Sequence, residues 1–139
     1  MALVRYLVDK SAFARLGHPT AREIWTPVLE AGLVAICPVL EYEVLFSARG
    51  PEDYERIRER LRAQWAWLPL GERAHARALE VQRLLAAKGQ HRCASLPDLL
   101  TAATAEEHGV EVLHYDRDYD TIAGVTGQAM RWLAPPGVL

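Results

Sequence analysis

The sequence predicts a three-layer α/β/α domain built on a mostly parallel sheet of about four to five strands. Three observations predict it. Short, mostly apolar runs at Leu3–Val8, Leu33–Cys37 and Val110–His114 are too brief for helices and read as strands buried on both faces. Segments with helical spacing and helix-stop residues separate those runs, the alternation that parallel crossovers require. A carboxylate follows the first and last of them at once, Asp9 and Asp116, where a parallel sheet places its ligands.

The elements follow in order. After Asp9, Ser11 to Leu16 reads as a short helix closed by Gly17-His18-Pro19. Thr20 suits an N-cap with Glu23 completing a capping box, and the helix carries Ile24, Trp25, Val28 and Leu29 inward to Gly32. Pro27 conflicts with that helix, since it removes a donor and should bend it. Pro38 ends the second strand and opens a helix to about Arg49, with Leu40, Val44 and Leu45 toward the core. Glu52 to about Trp65 is the next helix, its Arg56, Arg58, Arg60 and Arg62 forming a solvated face. Trp67–Leu70 is a strand near an edge because of Pro69. Glu72–Lys88 is a long helix, and Gln90–Leu96 a polar loop. Pro97, with Ser95 or Leu96 before it, starts a helix to His108 that Gly109 closes. Beyond Asp116, Thr121–Ala123 forms one turn, Ala129–Leu133 a last strand and residues 134–139 a tail, giving a single domain over 1–139.

Composition narrows the function. The chain has 139 residues, half hydrophobic and 24% charged, enough for a full core and unlike a disordered segment. No apolar stretch nears the roughly 20 residues of a membrane span, and the N-terminus lacks a signal peptide's basic start. Cys37 and Cys93 have no framework or metal-type spacing, so a reducing, cytoplasmic setting with buried thiols is expected. A net charge of −2 argues against a simple nucleic-acid-binding module, though not against an enzyme that reaches phosphates through a metal.

The acids carry the chemistry. Asp9 stands beyond strand one, Glu43 a turn into the helix after strand two, and Asp116 beyond the fourth strand. Strand ends and the starts of following helices share one edge, so these can meet. Asp98, in the first turn of a helix with no clear strand before it, fits that geometry least well. Carboxylates gathered this way repel unless a cation joins them, and oxygen-only ligands favour Mg²⁺, with Mn²⁺ as substitute. Zinc would need His and Cys ligands, and His91-Arg92-Cys93 is the only near pair. His18, His75, His108 and His114 read as surface or packing. Alone, Asp9 is equally suited to N-cap the next helix; Ser11 could cap it too, or donate to a carboxylate or to water at a metal. Asp116, Asp118 and Asp120 compete for one position, with Asp118 a candidate further ligand and Asp120 a cap for the following turn. Glu41 competes with Glu43.

Four segments resemble the PIN-domain family, and within it the VapC-type toxin ribonucleases of bacterial toxin–antitoxin pairs. They are Leu-Val-Asp9-Lys-Ser11-Ala, Glu41-Tyr-Glu43-Val-Leu-Phe, Leu96-Pro-Asp98-Leu-Leu-Thr-Ala-Ala and Val-Leu-His-Tyr-Asp116-Arg-Asp118-Tyr. The resemblance implies a PIN-like fold and a Mg²⁺-dependent endoribonuclease. It also implies neutralisation by a small antitoxin and a homodimer. It places the acidic quartet on Asp9, Glu43, Asp98 and Asp116. Lys10 stands where the family often has Thr. A receiver domain would need a Lys after strand five and an Asp after strand three, and a haloacid-type phosphatase an Asp where Ser11 stands; both are absent. A non-catalytic PIN-like scaffold is the remaining alternative. For an acidic protein to hold RNA, Arg49, Arg92 and Arg117 are the candidate phosphate contacts. Trp25, Trp65, Trp67 and Trp132 are candidates for core or for a partner surface.

Overall fold

The computed structural model describes residues 3–139. Five strands form one parallel sheet: β1 (Tyr6–Val8), β2 (Val34–Ile36), β3 (Ala66–Trp67), β4 (Glu111–His114) and β5 (Met130–Trp132). Their order is β3-β2-β1-β4-β5. The chain therefore builds outward from β1 through β2 to β3, then returns to lay β4 on the other side of β1. That reversal opens a crevice beyond the carboxyl ends of β1 and β4, where open α/β sheets bind ligands.

The helices are α1 (Lys10–Phe13), α2 (Pro19–Glu30), α3 (Pro38–Leu45), α4 (Pro51–Gln64), α5 (Glu72–Ala87), α6 (Leu96–His108) and α7 (Asp118–Thr126). Alternation along β1 decides the layers. Tyr6 and Val8 join one cluster with Trp25, Leu40, Leu61 and Leu133, while Leu7 joins the other with Val81, Leu85, Leu99 and Ile122. Both faces are thus covered, which is why the strands lack polar alternation. Burying each such Leu stabilises the fold by roughly 1.5–3 kcal/mol.

Several elements differ from the sequence expectation. α2 is capped by His18, whose Nδ1 accepts from the Thr20 N–H at 3.2 Å, so the expected Thr20–Glu23 capping box does not form. Pro19 explains it: its fixed φ suits the first helical position and drives the preceding residue out of helical geometry. Pro27 lies inside α2, which continues to Glu30, and is exposed beside the solvent-facing Ile24; Ala21 and Trp25 are the buried residues. α3 stops at Leu45 rather than near Arg49. Beyond Asp116 there is a nine-residue helix instead of one turn, closed by Gly127 at φ 72°. Cys37 is buried as expected, whereas Cys93 is exposed. Ala134 is buried and the Leu139 N–H donates to the Tyr115 hydroxyl at 2.8 Å, so the segment after β5 packs back. Among the described residues no helix is long and apolar enough to cross a membrane.

The position of α6 matters most. It packs antiparallel to α5: Gln82 lies near Leu96 and Leu99, while Arg77 Nε donates to Glu106 at 2.7 Å at the far end. α5 thereby returns the chain to the carboxyl edge, and α6 begins there. This route supplies what the sequence left open for Asp98.

Candidate functional site

Each acid is placed by regular structure. Asp9 continues β1 by donating its N–H to Leu113 O at 2.9 Å, then N-caps α1. Its Oδ2 accepts from the Ser11 N–H at 3.0 Å and the Ser11 hydroxyl at 2.7 Å. The Ser11 oxygen in turn accepts from the Tyr115 N–H at 2.8 Å, tying α1 to the end of β4. Of the two readings of Ser11, the donor to a carboxylate holds; the cap is Asp9, and Ser11 lies inside α1. Asp9 Oδ1 accepts from the Tyr119 hydroxyl at 2.6 Å, inside the protein.

Asp98 occupies the third position of α6 and forms a capping box with Ser95, accepting from the Ser95 N–H at 3.3 Å. Asp116 Oδ1 accepts from the Asp118 N–H at 2.9 Å, so Asp116 holds the turn that starts α7. Asp120 does not cap that helix; it lies within it and accepts from Trp132 Nε1 at 3.1 Å. Asp98, Asp116 and Asp118 bring one oxygen each to within 4.8 Å of one another. Those three, with Asp9 and Glu43, line a single cleft of about 360 Å³ together with Lys10, Ser11, Arg15 and Ser95.

The electrostatics show what that proximity costs. Burial, then the charges of Asp9 and Asp116, push the Asp98 carboxyl up to about 6, against the hydrogen bonds from Ser95. Burial and then Asp116 raise Asp118. Burial and then Asp9 raise Glu43, while Lys10 opposes the rise. One Glu43 oxygen, Oε1, is buried with no hydrogen-bond partner. A buried acceptor without a donor costs about 1–3 kcal/mol, so this cleft is incomplete as a purely protein structure. Carboxylate-only donors, close together and partly desolvated, fit a hard divalent cation.

Glu41 takes no part in the cleft. Its Oε2 accepts from Arg62 Nε at 2.7 Å and its Oε1 from Trp67 Nε1 at 2.7 Å. Arg62 is thus drawn from the otherwise solvated arginine face of α4. Arg49, Arg92 and Arg117 are exposed, and none lines the cleft. Trp25 is buried and donates Nε1 to Leu133 O, while Trp67 is held by Glu41.

Tyr119 escaped the sequence reading. Tyr119 is fully buried, and burial together with Asp9 and Asp98 raises its hydroxyl well above its ordinary range, so it stays a donor. The apolar spacing of Tyr119 and Ile122 is the signal that could have revealed both α7 and this inward-facing tyrosine. His114 does pack, lying 4.9 Å from the Tyr119 ring and 4.8 Å from that of Trp132. It also accepts the Asp116 N–H on Nδ1 at 3.2 Å, and burial lowers its pKa, keeping it neutral with the proton on the partnerless Nε2.

Comparison with known proteins agrees with this architecture. The PIN domain family matches residues 6–125. Ribonuclease VapC51 of Mycobacterium tuberculosis is 45% identical over 139 residues, covering 100% of this chain and 99% of that protein. Ribonuclease VapC2 of the same species is 50% identical over 125 residues, 89% of each chain. Among solved structures, a chain of DNA-bound VapBC from Salmonella typhimurium superposes with a TM-score of 0.75 at 16% identity, covering 95% of this chain and 100% of that one. At that identity the likeness speaks to fold alone.

Proposed function

The chain belongs to the PIN-domain family, and from that premise we propose that it is a Mg²⁺-dependent endoribonuclease, the toxin of a toxin–antitoxin pair. The observation that carries this reading is the gathering of Asp9, Glu43, Asp98, Asp116 and Asp118 in one cleft, with a Glu43 oxygen left orphaned. Relatives named as ribonucleases at 45% and 50% identity support the choice of RNA.

Asp98, Asp116 and Asp118 are the residues to hold the ion, with Asp9 and Glu43 completing its surroundings. A bound divalent ion supplies a Lewis acid that lowers the pKa of a water and offsets charge developing on phosphorus. Asp9 is oriented for its part by three donors, from Ser11 twice and Tyr119 once, so its carboxylate is fixed before substrate arrives. The proposed partners, a small antitoxin protein and a second copy of the chain, require apolar surface. Tyr42, Phe46, Leu79 and Leu96 supply it, being between 67% and 80% exposed.

The test is cleavage of RNA by the purified chain with Mg²⁺, with Mn²⁺ and with chelator, beside Asp98→Asn. Metal-dependent cutting lost in the variant is expected. Equal cleavage by wild type and variant, or none by either, favours the non-catalytic scaffold.

A further inference from the structure

Five carboxylates around one divalent ion leave the cleft more negative than positive, yet a phosphodiester must enter it. The cations that line the cleft are Lys10 and Arg15, on or just beyond α1. Arg15 is held by two contacts. Nη1 donates to Ser11 O at 2.8 Å, and the guanidinium carbon lies 4.9 Å from the centre of the Tyr115 ring. Tyr115 is itself fixed by its N–H to Ser11 Oγ. Among the described residues no ion pair includes Arg15, although five acids share its cleft. An arginine uses five N–H donors, and here one bond and a stacking surface set its plane while most donors stay unspent.

We infer that Arg15, laid on Tyr115 at the rim of the acidic cleft, is the substrate-binding residue that grips an RNA phosphate beside the metal-binding carboxylates, with Lys10 as a second point charge. This rests on the ribonuclease reading above. It places the anchoring contact just beyond α1 rather than on Arg49, Arg92 or Arg117, which stand outside the cleft.

The test is single-turnover cleavage of a fluorescent single-stranded RNA of roughly 20 nucleotides by the full chain in Mg²⁺, across protein and salt concentrations. Wild type is compared with Arg15→Gln and with Arg83→Gln, an exposed residue of α5 that does not line the cleft. Arg15→Gln is expected to raise the half-saturating concentration about tenfold and to leave the saturating rate within about twofold. It should also flatten the logarithmic salt slope by about 0.7, the share of one single-strand phosphate contact. Mn²⁺ affinity measured by calorimetry should not change. Half-saturation and salt slope equal to wild type would overturn the inference, as would an equal loss in Arg83→Gln or a loss of Mn²⁺ affinity. Should wild type fail to cut at all, the ribonuclease reading falls first, and the two failures are distinguishable.

Discussion

Glu41 and Glu43 lie two residues apart on α3 and differ in everything but chemistry. Glu41 is 7% exposed and has a donor on each oxygen, from the guanidinium of Arg62 and the indole of Trp67, so it joins α3, α4 and β3. Glu43 faces Asp9 and Asp98, keeps one buried oxygen without a partner, and has its pKa raised by burial first and by those acids next. A buried acid whose donors are all protein is doing structural work. One that is left short of donors, among other acids, is arranged for something that arrives.

Four outcomes break or sharpen that contrast. The largest effect belongs to Asp98→Asn and Asp9→Asn. Removing a carboxylate that faces the ion should cut Mg²⁺-dependent RNA cleavage by more than the roughly 10–100-fold typical of losing an outer partner. Circular dichroism should show the fold unchanged. Next, Glu43→Gln should weaken Mn²⁺ binding by roughly tenfold or more in a calorimetric titration. Glu41→Gln should leave that affinity alone and instead cost about 1–3 kcal/mol in urea unfolding, toward the low end because Arg62 is half exposed. If the two variants exchanged these phenotypes, the contrast would be wrong. Tyr119→Phe removes only a hydroxyl; it should lower Mn²⁺ affinity by up to about tenfold through a less firmly oriented Asp9, with little change in thermal midpoint.

The smallest effect is in pH. Asp98, raised to about 6, binds its proton more tightly folded than unfolded, and Glu43 and Asp118 shift the same way. For an acid raised in this manner, stability grows as pH falls through the folded value toward the ordinary one near 4. Buried, neutral His114 has the opposite sign, because its lowered pKa makes falling pH cost stability. Measured against Asp98→Asn, which keeps His114, the metal-free thermal midpoint should therefore rise a little between about pH 7.5 and about pH 5.5, while the gain from Mn²⁺ shrinks. No rise relative to Asp98→Asn over this range would contradict the repulsion argued for the cleft.

The strands at Tyr6–Val8, Val34–Ile36 and Glu111–His114 were legible because burial on both faces writes itself as an apolar run. Asp9 and Asp116 were legible for the same reason, as the carboxylates that end such runs. What was not legible depended on partners distant in sequence. The choice of Glu43 over Glu41 needs Arg62 and Trp67, 21 and 26 residues from Glu41. Asp98 needs the antiparallel return of α5, and Tyr119 its bond to Asp9, 110 residues away. The Thr20 capping box failed on a local rule instead, because Pro19 gives the cap to His18. Lys10 and Arg15 were passed over as binding residues since, at the start of α1 and just past its end, they look like ordinary solvent charges until the cleft is seen.

Asp98 both closes the first turn of α6 and faces the acid cluster, and Asp118 likewise opens α7. Asp98 accepts from the Ser95 N–H, the Asp118 N–H donates to Asp116, and the positive dipole ends of both helices also soften the crowding of charge. The scaffolding of the centre is therefore complete before any ion arrives. A chelator should silence this protein without melting it, and returning the ion should restore it at the speed of diffusion rather than of refolding.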